Sequence, residues 1–152
     1  NNSFHLIDNA NKKTHPITLD LPKETTFSHI SFNLGIDSTT NVSGAFGGDL
    51  DPTKGMYWTW QNGYINFKLE GNSPFSTARK NEFTFHLGGY SYPNKSVQKV
   101  ILKTNKKEEL IINFDLSTFF KEIDLSKENH LMLPGKRAVQ LSQILAKCFK
   151  AN

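Results

Sequence analysis

The side chains in this sequence suited to soft-ion or aromatic chemistry are five histidines, two methionines, two tryptophans and one cysteine. Trp58 and Trp60 stand two residues apart, so in an extended segment they share a face and bury a large area. A glycine-rich stretch precedes them and Asn62-Gly63 follows, which sets them apart from ordinary core aromatics. They could also serve, with Tyr64, as a carbohydrate platform. Among the histidines, His15 precedes Pro16 in a polar stretch, His29 falls on a polar strand face, and His5 has no assignable face. His86 lies in an aromatic-rich strand just before Gly88-Gly89, where a backbone without side chains lets another group come close. His130 is followed two residues later by Met132, and in an extended segment both point the same way. An imidazole beside a thioether suits a soft ion such as Cu(I); the plainer assignment puts Met132 in the core and His130 on the surface. Asp49 and Asp51, with Asp37 and Asn41 nearby, offer oxygens for Ca²⁺. They lack the EF-hand spacing, and Asp51 before Pro52 also reads as turn chemistry.

These residues need strands to position them. Short strands are expected at Phe4–Ile7 and Ile17–Leu21. Phe27–Ile36 alternates, with Ile30, Phe32, Leu34 and Ile36 on one face and His29, Ser31 and Asn33 on the other. Asp37–Gly55 is a long polar loop of the kind that is often functional. Met56–Gln61 and Tyr64–Glu70 flank Asn62-Gly63 and predict a two-residue type I′ hairpin. Its register would pair Gln61 with Tyr64, Trp60 with Ile65, Trp58 with Phe67 and Met56 with Leu69. That register gathers Met56, Trp58, Trp60, Ile65, Phe67 and Leu69 on one face. Glu82–Leu87 alternates again, with Phe83, Phe85 and Leu87 inward and Thr84 and His86 opposite. Gln98–Lys103 and Leu110–Phe114 predict two more strands joined by a turn at Asn105–Lys107. Ser117–Ile123 reads as a short helix capped by Ser117. After Pro134-Gly135, the spacing of Ala138, Leu141, Leu145, Cys148 and Phe149 predicts an amphipathic helix of about four turns. The fold class expected is an all-β antiparallel sandwich with that C-terminal helix, as one domain over residues 1–152.

Composition narrows the function. The formal charge is +4, but it is spread out. Its densest clusters, Lys12–Lys13 and Lys103, Lys106 and Lys107, adjoin turns and read as solvated loops. No basic stripe interleaved with stacking aromatics appears, so nucleic acid is not the expected partner. No apolar run long enough to span a bilayer and no signal peptide is visible. The chain opens on Asn1-Asn2-Ser3 and runs straight into Phe4, as a mature or trimmed chain would. No G-x-S-x-G elbow, H-E-x-x-H pair or phosphate loop is present. Glu70 and Glu82 cannot be placed as an acid/base pair, and Cys148 falls on an apolar stripe as an inert thiol. A binding protein is expected, not an enzyme.

The stretch GDLDPTKGMYWTWQNGYINFKLEG at Gly48–Gly71 resembles the signature of the MbnP-like copper-binding domain family, named from proteins encoded beside methanobactin machinery. The resemblance extends to FNLGID at Phe32–Asp37, FTFHLGGY at Phe83–Tyr90 and MLPG at Met132–Gly135. It implies a β-rich bacterial protein of the periplasm or outer surface, including a lipoprotein of the outer membrane, that binds copper for acquisition or homeostasis. It further implies a partner of the di-haem cytochrome c peroxidase/MauG type that oxidises a tryptophan to kynurenine, whose aryl amine and ketone help bind copper with histidine. An outer-membrane transporter is a further partner expected on the same grounds. The matching tryptophans are Trp58 and Trp60, and the resemblance leaves open which is modified. His86 in FHLGG is the first histidine carried over, with His130 and Met132 after it. The family's usual N-terminal strand would be absent or lie upstream of Asn1.

Overall fold

A computed structural model describes residues 3–22, 25–105 and 109–152. Its strands are β1 (His29–Leu34), β2 (Tyr57–Thr59), β3 (Gly63–Asn72), β4 (Glu82–Gly88), β5 (Gln98–Lys103), β6 (Ile112–Phe114), β7 (His130–Leu131) and β8 (Phe149–Ala151). Three α-helices join them: α1 (Ser38–Val42), α2 (Leu116–Phe120) and α3 (Lys136–Ala146). The strands form a four-stranded sheet in the order β2-β3-β4-β7 and two ribbons, β1-β5 and β6-β8. Interspersed helical segments make the chain strand-rich with a C-terminal helix, not wholly β. No helix among the described residues is long and apolar enough to cross a membrane.

The core lies against one face of β4. Period-two alternation turns Phe83, Phe85 and Leu87 inward, where they pack with Phe119 of α2 and Ala138, Leu141 and Leu145 of α3. Phe85 and Phe119 meet edge to face with ring centroids 5.7 Å apart, an arrangement the ring quadrupoles favour. The alternation expected for β1 and β4 and the bounds expected for β5 are therefore observed. Helix α3 is shorter than the spacing predicts, because the Lys147 and Cys148 N–H groups close its last turn on Ile144 and Leu145. Cys148 is nevertheless fully buried, and burial pushes its thiol pKa up. Phe149 then opens β8, its ring packed between Phe32 and Phe114 at 5.2 Å and 4.7 Å. The cap of α2 is Asp115 and not Ser117. Its carboxylate accepts from the Ser117 hydroxyl and N–H, which hold its pKa at about 2.

Two expected strands do not form. Phe4–Ile7 and Ile17–Leu21 join no sheet, and Ile7, Ile17, Leu19 and Leu21 stay exposed. An isolated strand leaves its backbone unpaired, and these segments find other partners: the Leu6 N–H donates to Asp49 Oδ2 at 3.1 Å. The turn expected at Asn105–Lys107, the cluster of Lys106 and Lys107, and the opening Asn1-Asn2 lie wholly or partly outside the described residues.

The β2-β3 hairpin exists, but its register differs from the one expected. Tyr57 pairs with Tyr64, and Thr59 with Gly63. Asn62 does not take the left-handed conformation that a type I′ turn requires. Contacts distant in sequence decide the pairing. The Tyr64 N–H donates to Asn41 Oδ1 at 2.8 Å, and its hydroxyl donates to Leu50 O at 2.9 Å. Tyr64 is thereby held 2% exposed under the Asp37–Gly55 segment, and the hairpin closes around it. A bulge between Ile65 and Phe67 then reverses the parity of β3. Ile65 opposes Gly88, while Phe67 opposes Leu87 and packs on the core. The single apolar face expected from Met56 to Leu69 is thus split between both sides of the sheet.

Candidate metal centre

The face of the large sheet opposite the core carries the residues of interest. On β4 these are Thr84, His86 and Gly88. On β3, Glu70 opposes Thr84, Lys68 opposes His86 and Ile65 opposes Gly88. The other neighbour of β4 is β7, which runs parallel with His130 beside Thr84 and Leu131 beside Phe85. Leu131 packs on the core, so alternation puts His130 on the His86 side, and Met132 follows the strand's end, partly buried. The chain continues along this edge until Pro134 lies 3.1 Å from where a Cβ on Gly89 would sit. The approach to β7 is fixed by a bond from Thr84 N–H to Asn129 O at 2.8 Å and by a bidentate Arg137–Glu128 pair.

Trp58 reaches the same face from β2. A Cβ on Gly88 would sit 2.6 Å from Trp58 Cζ3 and 3.1 Å from Cη2. The indole therefore occupies the space that any larger residue at position 88 would fill. Gly88 follows His86 by one strand repeat, about 7 Å. Trp60 is separate. It sits in the hairpin turn with 76% of its surface exposed. The two indoles do not share a face as the predicted register required.

Three buried side-chain polar atoms have no hydrogen-bond partner among the described residues: Trp58 Nε1, His86 Nδ1 and Ser142 Oγ. Two of the three thus belong to this one face. Such groups are normally satisfied, and each exception calls for a cause. His86 is only 6% exposed, and its Nε2 lies 2.7 Å from Glu70 Oε1. That contact, first among its causes, holds the Glu70 carboxyl below its ordinary range, with Lys68 assisting.

The remaining candidates fall elsewhere. Asp49 bridges Lys54 at 2.6 Å and accepts from the Leu6 N–H. Asp51 accepts from the N–H and hydroxyl of Thr53, capping a 3₁₀ turn. Asp37 caps α1, and Asn41 holds Tyr64. Their oxygens are engaged in turn and anchor chemistry and do not converge as a calcium shell would. A Trp58–Trp60–Tyr64 sugar platform is not formed, because Tyr64 is buried and Trp60 stands apart. His5, His15 and His29 are exposed. No group of three or more His, Cys, Asp or Glu residues placed to hold a metal occurs among the described residues. A site on this face would therefore need donors beyond these residue types, and the indole N–H of Trp58, which can only donate a proton, is not one as it stands. Sequence reasoning missed Glu70 as a partner of His86; its period-two spacing from Lys68 on a strand was the available signal.

The residues present fit a soft ion through His86 Nδ1, a buried imidazole nitrogen with no partner among the described residues. No curated protein and no solved structure matches the chain. The family model described as MbnP matches residues 1–134, and that family is associated with methanobactin and copper-related systems. The chain belongs to the MbnP family.

Proposed function

We propose that this protein is an extracytoplasmic copper-binding protein of bacterial copper acquisition or homeostasis, with no turnover of its own. One observation carries the reading: Trp58 Nε1 and His86 Nδ1 are buried on the same sheet face, and neither has a partner among the described residues. Copper, favoured as Cu(I), would be held by His86 Nδ1 and Met132 together with nitrogen derived from Trp58. His130 stands at the exposed rim of the same edge. Bound there, the ion would supply a soft Lewis-acidic centre matched to imidazole and thioether donors.

Trp58 is the residue proposed for oxidation to kynurenine by a di-haem partner of the cytochrome c peroxidase/MauG type. The partner would use dioxygen or two equivalents of peroxide to cleave the indole C2–C3 bond with insertion of two oxygen atoms, and hydrolysis would release C2 as formate. The indole nitrogen is left as an aryl amine, so the buried atom with no partner among the described residues is the one that gains a lone pair for a metal. Gly88 supports this assignment by leaving room for the ring. Trp60 is exposed in the adjoining turn and would be a contact for that partner.

Two measurements test the reading. Peptide mass analysis of protein from its native host should show a shift at Trp58 and none at Trp60. Cu(I) titration should lose its tight site in a His86→Ala variant. An unmodified Trp58 beside a modified Trp60, or an undiminished titration in His86→Ala, would refute the respective assignment.

A further inference from the structure

We infer that Glu70 is a positioning residue that fixes His86 as its Nε2–H tautomer and so makes Nδ1 the nitrogen presented to a metal. This rests on the copper reading of the same face. The geometry has two halves. His86 Nε2 stands 2.7 Å from Glu70 Oε1, and an ionised carboxylate can only accept a hydrogen bond. Nε2 must therefore carry the proton. His86 Nδ1 is buried and without a partner among the described residues, and in that tautomer it is a bare lone pair facing away from Glu70. The opposite tautomer would set one lone pair against a carboxylate and bury an N–H with no acceptor. Lys68, directly across from His86 in the ladder, places its Nζ 3.7 Å from the same Oε1 and favours the ionised carboxylate.

A histidine serving only the fold would have both nitrogens satisfied. A carboxylate on one nitrogen and nothing on the other is the arrangement in which the outer partner orients a metal ligand and raises its basicity. His130 lies on the same edge, beside Thr84 and exposed. Glu70 is itself about half exposed, so replacing it leaves the core intact.

The test uses histidine-labelled, metal-free protein and reads the two His86 nitrogens by long-range ¹H–¹⁵N correlation. Cu(I) competition against a chromophoric chelator follows on the same samples. Wild type should show Nε2 protonated and Nδ1 bare. Glu70→Leu should lose that preference and bind Cu(I) about 10–100-fold more weakly, the usual effect of removing an outer partner. Glu70→Gln keeps an acceptor oxygen and should recover part of both. A wild-type Nδ1–H tautomer, or a Glu70→Leu variant unchanged in tautomer and affinity, would overturn the inference. The metal-free tautomer separates the two failures. Wild type with Nε2–H but no Cu(I) uptake would sink the copper reading, and the inference with it. A lost tautomer preference at unchanged Cu(I) affinity would sink the inference alone.

Discussion

Strand β4 has two buried faces built on opposite terms. On one, Phe83, Phe85 and Leu87 interlock with Phe119, Leu141 and Leu145 in a dry core. On the other, His86 is nearly as deeply buried, yet among the described residues its Nδ1 has no partner, and neither does the indole nitrogen of Trp58 beside Gly88. The first face is complete in itself, because apolar packing needs nothing from outside. The second retains unmet polar capacity, which disfavours the folded chain until something satisfies it. Stability and function are thus separated across the thickness of one strand.

Substitutions on each side sharpen or break that contrast. The largest effect is expected on the dry side: Phe85→Ala should cost about 3–5 kcal/mol, read as a lower denaturation midpoint at unchanged slope. On the polar side, Gly88→Ala forces a Cβ to within 2.6 Å of both Trp58 and the Tyr64 carbonyl. It should cost about 1–3 kcal/mol and shift tryptophan fluorescence, whereas Gly47→Ala, in open space, should do neither. His86→Leu should change stability by about 1 kcal/mol or less, since it removes an unsatisfied atom along with one hydrogen bond, while abolishing Cu(I) uptake. A large destabilisation there would mean that His86 is scaffold.

The Glu70 contact has a defined pH window. Its carboxyl is lowered in the folded chain from the ordinary 4.5, so across that interval the unfolded chain binds more protons. Its stabilisation is complete above 4.5 and is lost as pH falls through the lower folded value. Thermal melts between neutral and acidic pH should show Glu70→Gln lacking this component. The smallest effect is expected at Trp60, which is exposed in its turn: Trp60→Ser should stay within about 0.5 kcal/mol and leave Cu(I) binding unchanged.

The two sides of β4 were readable from local sequence because strand alternation is a nearest-neighbour property. Phe83-Thr84-Phe85-His86-Leu87 placed the core on one side and His86 on the other, and the glycines after it marked a close approach. The helical stripe through Ala138, Leu141 and Leu145 was equally plain. The hairpin was not. Asn62-Gly63 is a strong local turn signal, but Asn41 and Leu50 hold Tyr64 from a distance and override it. The bulge at Asn66 has a similar origin, since that side chain accepts from the Ile36 N–H and donates to Ser96. Glu70 became visible only once the β3-β4 ladder was set, because its reach to His86 runs diagonally across two strands. Phe4–Ile7 and Ile17–Leu21 show the converse. A strand-like pattern makes no strand without a neighbour to pair with.

Cys148 lies fully buried behind the dry face, among Phe119 and Leu145, and the chain has no other thiol. An alkylating reagent can reach it only in molecules that have opened, so the labelling rate works as a clock for that opening under native conditions. The same seclusion keeps the softest sulfur out of any contest for a thiophilic ion. A bound equivalent of silver or copper that slows the labelling, with the thiol still free to react once the chain opens, therefore sits on the folded chain away from Cys148.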